Sequence, residues 1–158
     1  MGINPENLVK ARIAETIVED MLRQAGYQVY AFGYKPVLQN LIHQQIKTNR
    51  EFTVGKAVSS MPDFLLVKGD MQHFLEVKYR TDGKLDKTDI TSWNQGSVLL
   101  VFPFEPYFKI AQVPAFMKNH ELHLLEDDEW IPVYKNISEN YAQLVEKYLR
   151  ENNLILPD

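Results

Sequence analysis

A chain of 158 residues and 18.4 kDa fits one domain that buries most of what its unfolded form exposes, and 45% hydrophobic with 24% charged residues excludes disordered, collagen-like and low-complexity classes. The absence of cysteine removes disulfide scaffolds, zinc-thiolate and iron-sulfur sites and cysteine nucleophiles together. A net charge of −4 argues against a broad basic surface, but from Glu121 onward nine acids stand against three bases, a local −6 that leaves +2 on the rest, so a polyanionic partner still fits one face.

The strongest helix spans residues 4 to 25. Asn4 suits the N-cap, Pro5 the first helical position and Glu6 the positive end of the helix dipole. Leu8, Ala11, Ala14, Val18, Met21, Leu22 and Ala25 recur at helical spacing, and Gly26 supplies the stop. Tyr27 to Phe32 reads as a strand and Pro36 to Lys47 as a shorter helix. Asp63 to Lys68 and Gln72 to Arg80 are apolar runs around Gly69-Asp70, a pair suited to a tight hairpin turn. Thr81 to Gln95 is polar and is expected to contain a helix carrying Leu85, Ile90 and Trp93. Ser97 to Phe104 has the continuous apolar texture of a strand covered on both faces. Tyr107 to Val113, Leu122 to Leu125 and Trp130 to Tyr134 are further strands, and the acidic run Glu126 to Glu129 reads as a hairpin turn. Asn136, with Glu139 three residues on, caps a last helix whose stripe is Ile137, Tyr141, Leu144, Tyr148 and Leu149. The order predicts a single mixed α/β domain over 1–158 with neither repeat nor linker. No leader and no apolar run near the roughly 18 residues of a membrane span is seen, so a cytoplasmic protein is the expectation.

Chemistry concentrates in Pro62-Asp63 and Glu76-Val77-Lys78. If Gly69-Asp70 is the turn, Lys68 faces Met71 and Asp63 lands opposite Glu76. Asp63, Leu65 and Val67 then share a face with Gln72, Phe74, Glu76 and Lys78. Opposed like charges destabilise a strand pair by roughly 0.2 to 1 kcal/mol, so they call for compensation. A Mg²⁺ ion held by two carboxylates and water would provide it, and a lysine on the same face would manage a water for phosphodiester hydrolysis. The plainer reading makes these three residues solvated charges of an edge strand. Against it, Glu76 and Lys78 sit inside Phe74-Leu75-Glu76-Val77-Lys78-Tyr79. Glu15 projects between Leu8 and Leu22 at about 100° per residue, where it either meets a partner or snorkels from the stripe's edge.

At these residues the sequence resembles the PD-(D/E)XK nuclease superfamily, over roughly Asn4 to Phe104 and in the order Glu15, Pro62-Asp63, Glu76-Val77-Lys78. Within it the chain is most similar to small restriction-like endonucleases and junction resolvases. The resemblance implies a restriction endonuclease-like mixed central sheet flanked by helices. It implies that Asp63, Glu76 and the main-chain carbonyl of Val77 bind Mg²⁺, with Mn²⁺ as a substitute, that Lys78 handles the attacking water, and that Glu15 completes the acidic site. The implied partner is DNA and, by analogy, a second copy of the chain. Arg80, Lys84 and Lys87 would contact phosphates, or form a solvated loop with Asp82, Asp86 and Asp89; Gln95 would lie near the substrate backbone, or cap a helix. The superfamily also contains catalytically silent members that bind nucleic acid or protein, which is the alternative function. The segment Gly33 to Ser60 is long for a minimal member and reads as an inserted helix or lid.

Overall fold

In a computed structural model of the chain, the structure describes residues 5–31, 62–90 and 95–150. The expected helix Pro36 to Lys47 and the inserted segment Gly33 to Ser60 lie outside the described residues.

Helix α1 (Pro5–Gln24) buries Lys10, Ala14, Ile17, Val18, Met21 and Leu22, the spacing that puts one face of a helix against a sheet. It closes where the Gly26 and Tyr27 N–H groups donate to the carbonyls of Arg23 and Leu22 at 3.0 Å each. Strands β1 (Gln28–Ala31), β2 (Phe64–Lys68), β3 (Met71–Tyr79), β4 (Ser97–Val101) and β5 (Phe108–Gln112) follow, then α2 (Val113–Asn119), β6 (His123–Leu124) and α3 (Lys135–Leu149). The six strands lie in sequence order, every neighbouring pair antiparallel except β3 and β4, which are parallel. A parallel pair needs a crossover, and residues 80–96 provide it. The protein is thus α/β, with one mixed sheet and helices on both faces.

Alternation along the strands sorts the two cores. On one face Phe64, Leu66, Leu75, Val77, Leu99, Val101 and Ile110 pack with α1 and with Val145 and Leu149 of α3. On the other, Val98 and Ala111 meet Ile90 of the crossover and Val113 and Phe116 at α2. Strand β4 lies between these layers with all five residues buried, each fully buried aliphatic side chain contributing about 1.5 to 3 kcal/mol. No helix among the described residues is long and apolar enough to cross a membrane.

Four expectations are corrected. Trp93 of the helix expected within Thr81 to Gln95 lies outside the described residues; those described show only a single 3-10 turn, Lys87–Asp89, because aspartates bond to nearby backbone: Asp82 Oδ1 accepts from Lys84 N at 3.0 Å and Asp89 Oδ2 from Asp86 N at 2.8 Å, competing with helix. Residues 130–134 form no strand; Asp128 Oδ2 takes the N–H groups of Trp130 and Ile131 at 3.0 and 2.9 Å, diverting donors a ladder would need. Residues 126–129 accordingly make no hairpin but a 3-10 turn, Leu125–Asp127, followed by the buried Asp128. Helix α3 starts at Lys135 with Tyr134, not Asn136, in the cap position, and Tyr148 is exposed while Val145 and Leu149 are buried.

Candidate functional site

The hairpin turn sets the site's register. Lys68 faces Met71 and Phe64 faces Leu75 at the last laddered pair. One further step places Asp63, which ends the ladder in a bend, opposite Glu76. Because β3 alternates and Leu75 and Val77 face α1, the side chains of Glu76 and Lys78 leave the sheet by the opposite face.

Asp63 is only 5% exposed, and its Oδ2 accepts the Val77 N–H at 2.8 Å. This carboxylate takes over where the backbone ladder stops. In an extended strand the N–H and C=O of one residue point to the same neighbour, so the Val77 carbonyl also faces the β2 side. The residue opposite Val77 in the continued register is Pro62, which has no N–H to give that carbonyl.

Lys78 Nζ lies 3.3 Å from Glu76 Oε2, with both side chains about one-fifth exposed, 21% and 20%. The next residue outward on this face is Arg80, whose N–H extends the β3–β4 ladder to the Val101 carbonyl at 3.0 Å. Its guanidinium is held by Asp89 Oδ1 at 2.7 Å and by the Tyr79 carbonyl at 2.8 Å. Burial alone would raise the Asp89 carboxyl, but the Arg80 and Asp86 hydrogen bonds and the Arg80 and Lys78 charges hold it below its ordinary value. Carboxylate and cation therefore alternate along the site: Glu76, Lys78, Asp89, Arg80.

The other expected residues are more dispersed. Glu15 is half-buried on α1, about 140° round the helix from Asp20, which meets Tyr141 of α3. Helix α1 covers the sheet face opposite that of Glu76 and Lys78, and among the described residues no group of three His, Asp or Glu side chains is placed to hold a metal ion. Lys84, Lys87 and Gln95 are exposed, Gln95 just before the bend into β4. Asp89 was missed by sequence reasoning. Its only signal is its place among alternating bases and acids, and its partner Arg80 lies nine residues away across a loop.

A second polar cluster sits at the hairpin-turn end of the sheet. His73 Nε2 and the Ser97 hydroxyl share a hydrogen bond of 2.8 Å, and the imidazole stacks on Trp130 at 5.3 Å. Burial lowers the His73 pKa, with Asp128 opposing it. His123 Nε2 meets Asp128 Oδ1 at 2.7 Å. Ser97 is 1% exposed, so its hydroxyl is a structural partner and not an accessible nucleophile. An open cavity of about 390 Å³ adjoins the Glu105–Phe108 turn, Leu124 and Leu125 and the first turns of α3; Asp63, Glu76 and Lys78 do not line it.

The chemistry these residues allow is that of hard oxygen ligands beside cationic donors, suited to a divalent cation and a phosphate. In comparison with known proteins, no family model and no curated protein matches the chain.

Proposed function

We propose that this protein is a Mg²⁺-dependent nuclease that hydrolyses phosphodiester bonds of DNA, with the restriction endonuclease-like arrangement its PD-(D/E)XK resemblance implies. The observation that carries the reading is the register: it sets Asp63 opposite Glu76 and sends Glu76 and Lys78 out by one face, while Asp63 holds the Val77 backbone. The donor set fits the ion, because two carboxylates and a carbonyl without a ladder donor from Pro62 are hard oxygen ligands. Asp63, Glu76 and the Val77 carbonyl would hold it, and it would supply positive charge to the scissile phosphate. Lys78 donates to the oxygen of the attacking water and so orients it, an ammonium having donors only. Hydrolysis adds the water hydroxyl to phosphorus, breaks the bond to the sugar oxygen and leaves the proton with that oxygen.

A panel of linear duplex, single strand, flap and four-way junction DNA tests this with Mg²⁺ or Mn²⁺. Cutting that is lost in Lys78→Ala supports the reading, whereas equal cutting by both proteins points to a contaminant. One observation favours a second reading, a silent module of the same fold: Glu76 is already paired with Lys78 and Asp63 with a backbone N–H, so the repulsion has compensation without metal. Absence of cutting on every substrate, with DNA still bound, would select it.

A further inference from the structure

The geometry points to a preset phosphate clamp beside the Glu76–Lys78 pair, in which Arg80 receives a phosphodiester oxygen of DNA and Asp89 is the positioning residue that holds the guanidinium for it; the inference rests on the nucleic-acid reading above. A guanidinium has five N–H donors. Two are used, one on the Tyr79 carbonyl at 2.8 Å and one on Asp89 Oδ1 at 2.7 Å, and the side chain remains 34% exposed. Three donors are left in a fixed plane at the surface, next along the strand face from Lys78.

Both halves of the clamp are anchored. Arg80 continues the ladder through its backbone bond to Val101. Asp89 is fixed by its own turn, its N–H donating to the Asp86 carbonyl at 2.9 Å and its Oδ2 accepting from Asp86 N at 2.8 Å. The next residue, Ile90, sits in the second core with Val98 and Phe116. Upstream, Gly83 holds φ +70° where a Cβ would lie 2.6 Å from Phe104 Cζ, so the crossover is pressed onto the connection between β4 and β5 there too. A cation already ordered loses little freedom when an anion arrives. Lys84 and Lys87, exposed and without an ion pair among the described residues, lack that advantage.

Asp89 also cancels the Arg80 charge, so it is either an aligner or a mask, and the two predict opposite signs. Anisotropy of fluorescein-labelled duplex and junction DNA, with Ca²⁺ replacing Mg²⁺ and salt as the variable, decides between them. Asp89→Ala should weaken binding roughly tenfold or more, the effect of losing one charge-assisted hydrogen bond. Its salt slope should fall by about 0.9, one phosphate's worth, as in Arg80→Ala. Asp89→Ala added to Arg80→Ala should change nothing further, and Asp89→Asn, which keeps the turn if the alanine variant folds poorly, should weaken binding by a smaller factor. Tighter binding by either Asp89 variant overturns the clamp in favour of a mask, and an unchanged slope overturns it while leaving the nuclease reading in place. Wild-type protein that binds no DNA overturns the nucleic-acid reading and the clamp with it.

Discussion

Replacing Asp63 separates its two roles, as a backbone acceptor and as a charge opposite Glu76. Asp63→Ala leaves the Val77 N–H, now bonded at 2.8 Å to a carboxylate that is 5% exposed, without its acceptor. A hydrogen bond to a charged group is worth about 1.5 to 3 kcal/mol, and relief of the opposed carboxylates returns roughly 0.2 to 1 kcal/mol, so the net loss is about 1 to 2 kcal/mol. Asp63→Asn keeps an acceptor oxygen and removes the repulsion, so it should stay within about 1 kcal/mol of wild type. At roughly 2 to 4 °C per kcal/mol for a chain of this size, the alanine variant should melt a few degrees below the asparagine variant in metal-free buffer. Saturating Mn²⁺ changes the order. A cation at about 100 times its Kd stabilises the fold by about 2.7 kcal/mol, which gives wild type on the order of 5 to 10 °C, a gain that Asp63→Asn and Glu76→Gln should mostly lose. The assay is thermal melting by circular dichroism. Equal melting temperatures for the alanine and asparagine variants would refute the backbone role, and a Mn²⁺ gain surviving both carboxylate substitutions would place the cation elsewhere.

Lys78→Ala should abolish DNA cutting while shifting the melting temperature by no more than about 4 °C, because its ion pair with Glu76 is partly exposed and worth about 0 to 1 kcal/mol. Burial depresses the His73 pKa below its unfolded value, so its contribution to stability is complete above about pH 6.5 and is lost as pH falls from there through the folded pKa; urea midpoints measured from pH 7.5 to pH 5 should fall in wild type and fall less in His73→Gln. Gly96→Ala should cost more than Gly69→Ala, since both have positive φ but a Cβ at Gly96 would lie 2.4 Å from the Phe74 carbonyl oxygen and one at Gly69 meets nothing. The expected difference, read from urea titrations, exceeds about 1 kcal/mol.

The legible parts of this fold were those written in local chemistry. Gly69-Asp70 and the runs beside it were enough to place Lys68 against Met71 and, through that pair, Asp63 against Glu76. The sequence period and Gly26 bounded α1 within a residue or two. What escaped is decided by tertiary partners. The strand expected over Tyr107 to Val113 stops at Gln112, where the chain turns into α2 with Pro114 suited to its first turn, and within that helix only Val113 and Phe116 become buried. Ile131 and Val133 alternate like strand residues and are buried like them, but Asp128 takes the donors of Trp130 and Ile131, and the Val133 N–H turns to the Leu125 carbonyl at 3.4 Å. Leu85 and Ile90 lie at a spacing that admits a helix, and the three aspartates around them close local turns first. For the same reason the Arg80–Asp89 pair was invisible: its two members meet only because the crossover folds back.

The one parallel pair explains why these groups share an end of the sheet. Strands β3 and β4 both point toward the end where β2 begins, so the chain must leave β3 beside Asp63 and travel outside the sheet to re-enter β4. Whatever that crossover carries first, here Arg80 and then Asp89, starts next to Glu76 and Lys78. Ligand sites of open α/β sheets fall outside the carboxyl ends of parallel strands, where the connections diverge, and this position is the counterpart in a sheet with a single parallel step. Each charge there already has a partner, which sets the condition for function. An ion pair still about one-fifth open to water, such as Glu76–Lys78, is worth about 1 kcal/mol. If Asp63, Glu76 and the Val77 carbonyl hold a divalent cation as proposed, its binding would contribute more than that near saturation and would compete with Lys78 for Glu76. The Asp63–Val77 bond is buried and, as a hydrogen bond to a charged group, worth about 1.5 to 3 kcal/mol, so it would hold the strand ends whichever partner Glu76 takes.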